Sequence, residues 1–262
     1  MSSSALQVAR TGLEAQDTRM RVIANNLANV ATTAYKRDRA NFSTLAYQDL
    51  RVAGQQSSNQ STFATGLNLG TGVGVQSTTR IDEQGTMSST GNALDLAVSG
   101  AGYFQVLLPT GNLAYSRAGN FSLSAEGQLV NSSGYVVQPA ITIPTGATSI
   151  TVSDDGTVSA ILPGSGVATQ VGQLTIASFP NPTALQALGD NLYQETGASG
   201  VAQIGQPGTA GRGSLKQGYL EQSNVNIVTE LVDMIECQRA YEINSKMISS
   251  VDEMLKNANQ TL

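Results

Sequence analysis

Leu6, Leu13, Met20 and Leu27 stand seven residues apart, and Ala9, Gln16, Ile23 and Val30 repeat that spacing three residues behind them. Apolar side chains returning at alternate steps of three and four describe a helix that lays one stripe against other helices. Only Gln16 interrupts the stripe. Ser2, Ser3 and Ser4 offer N-caps. Thr32 and Thr33 weaken the pattern, so the helix is expected to end near them.

The other end of the chain repeats the device. Val228, Leu231, Ile235 and Gln238 step by three and four, and Tyr241, Asn244, Ile248, Val251, Leu255, Ala258 and Leu262 continue the series. The consecutive steps of three at 238, 241 and 244 form a stammer, which locally overwinds a coiled coil. Neither Gly nor Pro interrupts residues 227–257. Residues 1–40 carry six basic and three acidic groups, whereas residues 221–262 carry three basic and seven acidic ones. A basic and an acidic helix at opposite chain ends suit pairing with each other, an effect on specificity more than on affinity.

Between the ends the period changes. Tyr103-Phe104-Gln105-Val106-Leu107-Leu108 runs into the turn cluster Pro109-Thr110-Gly111-Asn112. Short alternating runs follow at 121–124, 129–130, 135–137, 149–153, 157–161 and 173–179, and Asp154-Asp155-Gly156 is a strong hairpin turn. The spacing predicts an irregular sandwich or barrel-like β domain over 76–205. One short helix is expected at 183–188, entered through Pro182 and ended by Gly189. Residues 53–61 are polar and aperiodic, a flexible loop if taken alone. The expected organisation is a helical axial core of 1–35 with 221–262, an extended connecting region of 36–75 with 206–220, and the β-rich outer domain.

Chemistry is sparse. The chain has no His, the commonest general base and metal ligand. Cys237, the single cysteine, allows no internal disulfide and has no His to activate it. Asp154-Asp155-Gly156 lacks the later ligands of a calcium loop. Gly70-Thr71-Gly72-Val73-Gly74 opens no helix and is followed by no Lys-Ser/Thr pair, so it does not read as a phosphate loop. These features predict no catalytic, metal or cofactor site. Residues 1–9 lack a basic start followed by an apolar core, so no cleaved signal peptide is expected, and no apolar run is long enough to cross a membrane. The net charge of −5 disfavours nucleic acid and anionic lipid as partners. Charged residues make up only 13% of the chain, about half the usual quarter. A surface of uncharged polar groups suits packing against like subunits, because few charges must be desolvated.

Ala24-Asn25-Asn26-Leu27-Ala28-Asn29-Val30, followed by Thr33-Ala34-Tyr35-Lys36, closely resembles the N-terminal signature of flagellar rod and hook proteins. Glu221-Gln222-Ser223-Asn224-Val225-Asn226 and Gln238-Arg239-Ala240-Tyr241-Glu242 resemble the C-terminal signature of that family, and Asp252-Glu253-Met254-Leu255 extends the likeness. Gly100-Ala101-Gly102-Tyr103-Phe104 and Tyr115-Ser116-Arg117-Ala118-Gly119-Asn120-Phe121 are similar to its β domain. Ala34 departs from the Gly often found there, where a left-handed residue would be strained. The resemblance implies a non-enzymatic, self-assembling axial subunit with its end helices in the shared core. Length and the segment 47–66 resemble the distal-rod branch of the family; a proximal rod or hook subunit is the alternative. It further implies proximal rod proteins, hook protein, P-ring and L-ring proteins and the type III export apparatus as partners, in a rod running from periplasm to outer membrane.

Overall fold

A computed structural model describes residues 2–58, 61–163 and 167–260. The chain is mainly β, with one long helix at each end: α1, Ser2–Ala28, and α2, Ile227–Gln260. No helix among the described residues is long and apolar enough to cross a membrane. α2 begins where the side chain of Asn226 accepts hydrogen bonds from the amides of Val228 (3.0 Å) and Thr229 (3.3 Å), an N-cap. α1 stops at Ala28, earlier than the threonines suggest. Asn26, in its last turn, accepts from the Asp38 amide and donates to the Asp38 carbonyl, both at 2.9 Å, so the chain must fold back. In that return Ala34 adopts φ 57° and is buried, the left-handed conformation whose cost the sequence foresaw.

The chain divides into two compact units, one of residues 1–28, 38–79 and 226–262, the other of residues 29–37 and 80–225. In the first, α1 and α2 pack along each other, and strand Asp38–Thr44 pairs with Val73–Arg80. The polar stretch that reads locally as a loop lies largely within an antiparallel ribbon. Tyr47–Arg51 pairs with Leu67–Gly70, Tyr47 opposite Gly70, and beyond them Gln56–Ser58 pairs with Ser61–Thr62. The flanking strand Tyr47–Arg51 finds backbone partners about twenty residues away, and the tip is closed by the Gly54 amide on the Phe63 carbonyl and the Phe63 amide on the Gln55 carbonyl, pairings that side-chain composition does not show. The reading at Ser57 to Ser61 also touches Asn59 and Gln60, which lie outside the described residues. At the base of the ribbon a Cβ on Gly72 would approach Thr11 Oγ1 to 2.1 Å, so only glycine lets the ribbon lie this close to α1.

The second unit is built on an antiparallel seven-stranded sheet in the order Ser122–Leu123, Leu129–Val130, Val136–Gln138, Phe104–Leu107, Leu113–Ser116, Leu192–Gln194, Gln186–Gly189. The outermost strands do not bond to each other, so the barrel-like expectation is corrected: no sheet among the described residues closes into a barrel. A three-stranded sheet of Ser149–Val152, Thr157–Ile161 and Ala168–Gln173 carries the expected hairpin, with Gly156 at φ 88° in the turn. Phe104, Val106, Leu129, Val137, Val158, Leu174 and Ile176 form the common core, with Phe104 and Phe121 edge to face at 5.0 Å.

The helix expected at 183–188 is corrected as well. Only a single 3-10 turn, Pro182–Ala184, forms, and Leu185 is already extended with ψ 135°. Gln186–Gly189 is instead a strand that pairs back on Leu192–Gln194 through Asp190 and Asn191, both at positive φ. That Asp-Asn pair suits a tight hairpin turn, and sheet hydrogen bonding overrides the local helix signal.

Gly119 accepts no larger residue, because a Cβ there would sit 1.6 Å from the Leu96 carbonyl oxygen. Gly119→Ala should lower stability by about 3 kcal/mol, since relief requires parting backbone beside the Leu96–Ser99 strand. A urea melt of the two proteins measures this, and a loss below about 0.5 kcal/mol, the range of an ordinary surface change, refutes it.

Candidate functional site

α1 and α2 run antiparallel, and the line along which they meet is polar and small-sided. Asn26 Nδ2 donates to Glu230 Oε2 (3.3 Å), Arg19 to Asp233 (2.8 Å), and Cys237 Sγ to the backbone carbonyl (3.1 Å) and side-chain oxygen (3.2 Å) of Gln16. Gly12 closes the series against Asn244, whose amide nitrogen is 3.1 Å from where a Cβ would be. Residues 9, 12, 16, 19, 23 and 26 thus supply the inner line of α1 at steps of three and four, and Ala9, Ile23 and Asn26 are buried in it. The charge contrast between the two ends is realised at Arg19, which also reaches Glu236 at 3.9 Å.

The expected core residues divide. Ile23 lies in the inner line and Leu6, Leu13, Met20 and Leu27 on α1 are half-buried, whereas Val30, also half-buried, falls after α1 has ended at Ala28. On α2, Ile248 and Val251 are half-buried, and the Leu255 side chain lies outside the described ones. Val228, Leu231, Ile235 and Tyr241 point outward, at 70%, 42%, 50% and 42% exposure. Ile227, Val232, Ile243, Met247 and Met254 are exposed with them. Large apolar side chains exposed in such number along one helix are uncommon on a monomer's surface. Cys237 is a seam filler whose thiol burial pushes up. Cys237→Ser should therefore assemble normally and shift stability by at most about 1 kcal/mol; loss of motility in that variant would assign the thiol a further role.

The second unit holds a cluster that the sequence named only in pieces. Glu221 is fully buried and bonds Lys36 Nζ through Oε1 (2.6 Å) and Arg117 Nε through Oε2 (2.8 Å). The Gly85 amide donates to the same Oε1 at 2.9 Å. Lys36 also donates to the Glu83 carbonyl, and Arg117 to the carbonyls of Val98, Gly100 and Gly102. Burial alone would raise the pKa of Glu221, but Arg117, Lys36 and the Gly85 amide outweigh it and hold the carboxyl below its ordinary 4.5. Burial, then the Arg117 charge, pull the Lys36 ammonium below 10.5 against the opposing pull of Glu221.

Of the signature residues, Asn224 ties the same region. It accepts from the Arg37 amide (2.7 Å) and donates to the carbonyls of Ile81 (2.9 Å) and Glu83 (3.1 Å), while its own amide donates to the Tyr35 carbonyl. Val225 is buried beside it, Ser223 is half-buried, and Ala240 on α2 is half-buried. Asn25, Gln238 and Arg239 are exposed, and Asn29 is half-buried. Sequence reasoning listed Lys36 and Asn224 without roles and missed Arg117 and Glu221 as partners. Arg117, just past the strand Leu113–Ser116, was a usable signal as the one charge in the motif Tyr115 to Phe121.

Three protein-family models match the chain: the flagella basal body rod protein over residues 6–36, the D1 domain of the flagellar hook protein FlgE/F/G over 97–160, and the C-terminal region of the flagellar basal body rod FlgEFG protein over 216–261. The flagellar basal-body rod protein FlgG of Buchnera aphidicola is 50% identical over 255 residues, covering 97% of this chain and 98% of that one. The proteins of the same description from Caulobacter vibrioides (49%, 98% of each chain) and Bacillus subtilis (39%, 94% of each) are similar along the same length. The chain belongs to the flagellar basal-body rod protein family. It is thereby a structural component of the flagellar rod and not an enzyme, and membership implies self-assembly and association with other rod and hook components.

Proposed function

We propose that this chain is the subunit of the distal rod, and that copies of it polymerise through their end helices into a straight, rigid, hollow shaft that carries torque to the hook. The observation that carries the reading is the division of the helix pair. Its polar residues face each other within one chain, and Val228, Leu231, Ile235 and their neighbours are left for other copies to cover. Knobs from neighbouring helices in coiled-coil fashion would bury the outer faces, with Leu6, Leu13, Met20 and Leu27 at their margin. By likeness to the family, proximal rod proteins adjoin one end and hook protein the other. P-ring and L-ring proteins surround the shaft between periplasm and outer membrane, and the type III apparatus exports the subunit without a cleaved signal.

Rigidity is assigned to the ribbon of residues 47–70. It is long and two-stranded, and it exposes Tyr47, Leu50, Val52, Leu67 and Leu69; a lone hairpin of this kind is marginally stable in water. Seated between neighbouring subunits it would be ordered and would resist bending. Deleting residues 53–61 should leave export and assembly intact and give curved or flexible rods. Electron microscopy of isolated basal bodies measures the curvature, and straight rods of normal stiffness would remove the ribbon from this role.

A further inference from the structure

The chain enters or leaves the second unit at residues 29, 37, 80 and 225, and the bonds around Glu221 lie beside the last three of these crossings. Besides the ion pairs, the Ala34 amide donates to the Glu221 carbonyl (2.8 Å), the Ile81 amide to the Arg37 carbonyl (2.9 Å) and the Gln222 amide to the Thr86 carbonyl (2.8 Å). Asn191 Nδ2 donates to the Thr33 carbonyl at 2.8 Å. Segments 33–37, 81–86 and 221–224 are therefore bonded into one three-way junction, although 185 residues separate Lys36 from Glu221.

Each of the bonds named here joins two residues of the second unit, outside α1 and α2. We infer that the Lys36–Glu221–Arg117 cluster is a latch that keeps residues 33–37 folded onto the β domain when the end helices are unfolded. It holds the chain just after α1 next to the chain just before α2. Closing a chain of nearly two hundred residues costs entropy that grows with its logarithm. With the latch shut that closure is already made, and the helices meet as an intramolecular pair at high effective concentration. Glu221 is the hinge pin because it alone bonds both cations and the Gly85 amide. Asp82, which accepts from the Tyr103 hydroxyl at 2.7 Å and adds a second negative charge near Lys36, balances the cluster.

The test is residue-resolved amide exchange on the soluble full-length chain, and it does not depend on the chain's place in the rod. The amides of Ala34, Arg37 and Gly85 should exchange at least about 100-fold more slowly than those at the centres of α1 and α2, because they open with the β domain and not with the helices. In Glu221→Gln, protection of Ala34 and Arg37 should fall at least about tenfold further than that of Val106 and Tyr115 in the central sheet. Lys36→Met, which retains the Arg117–Glu221 pair, should show the same loss at smaller size. If Ala34 and Arg37 exchange with the helices in the wild type, or if both variants leave them unchanged, the latch is refuted. An equal loss of protection at Ala34, Arg37, Val106 and Tyr115 in both variants would likewise refute it, since the cluster would then be fold-wide with no local latch.

Discussion

A chain carrying Leu231→Asp together with Ile235→Asp should fold as well as the wild type and build no rod. Both side chains are about half exposed in the isolated chain, and surface changes of this kind move stability by no more than about 0.5 kcal/mol each. If α2's outer face is covered by another copy, however, each aspartate becomes an unpaired charge in an apolar interface, at roughly 3 kcal/mol or more per site. The paired measurement is a melting curve of the soluble protein and the swimming radius of cells expressing it. Unchanged melting with abolished motility is the expected result. Normal motility would show that the outer face is solvated in the rod; a grossly lowered melting point would show that it is buried within one chain.

The second large effect belongs to Glu221→Ala. Removing one member of a fully buried ionic cluster leaves the others uncompensated, so the loss should be about 3–5 kcal/mol near neutral pH. The difference from wild type should also depend on acidity, with a definite sign. Glu221 has a lowered pKa in the folded state, so its contribution is complete above the ordinary value of 4.5 and disappears as pH falls through the lowered one. Urea midpoints of both proteins from pH 7 to pH 3 check this. A gap that stays constant across that range would mean that the carboxylate's charge is not what stabilises the fold.

The two effects separate assembly from folding. On the proposed reading the outward face of α2 belongs to the polymer and leaves the monomer indifferent. The ion cluster belongs to the monomer, and its loss should lower the yield of exportable subunit without altering the interfaces.

Helical ends were legible from the chain alone because a heptad is a local statement: α2 starts at Ile227 as its uninterrupted run begins, and Ile23 lies on the inner face. The hairpin at Asp154-Asp155-Gly156 was legible for the same reason. The direction in which each apolar stripe faces was not. Leu231 and Ile235 have the spacing of an inner seam, yet Glu230, Asp233 and Cys237 took that place, because polar partners on α1 satisfied them there. Periodicity marks a face as apolar without saying which neighbour covers it. The strand at Gln186–Gly189 was decided by its hairpin partner Leu192–Gln194, itself held by Tyr115 from far along the chain, and the base of the ribbon at 47–70 by pairing across about twenty residues. The junction of Lys36, Arg117 and Glu221 was decided by partners distant in sequence. A buried charge is tolerated only beside its counter-charges, and tertiary folding alone brings residues 36, 117 and 221 together.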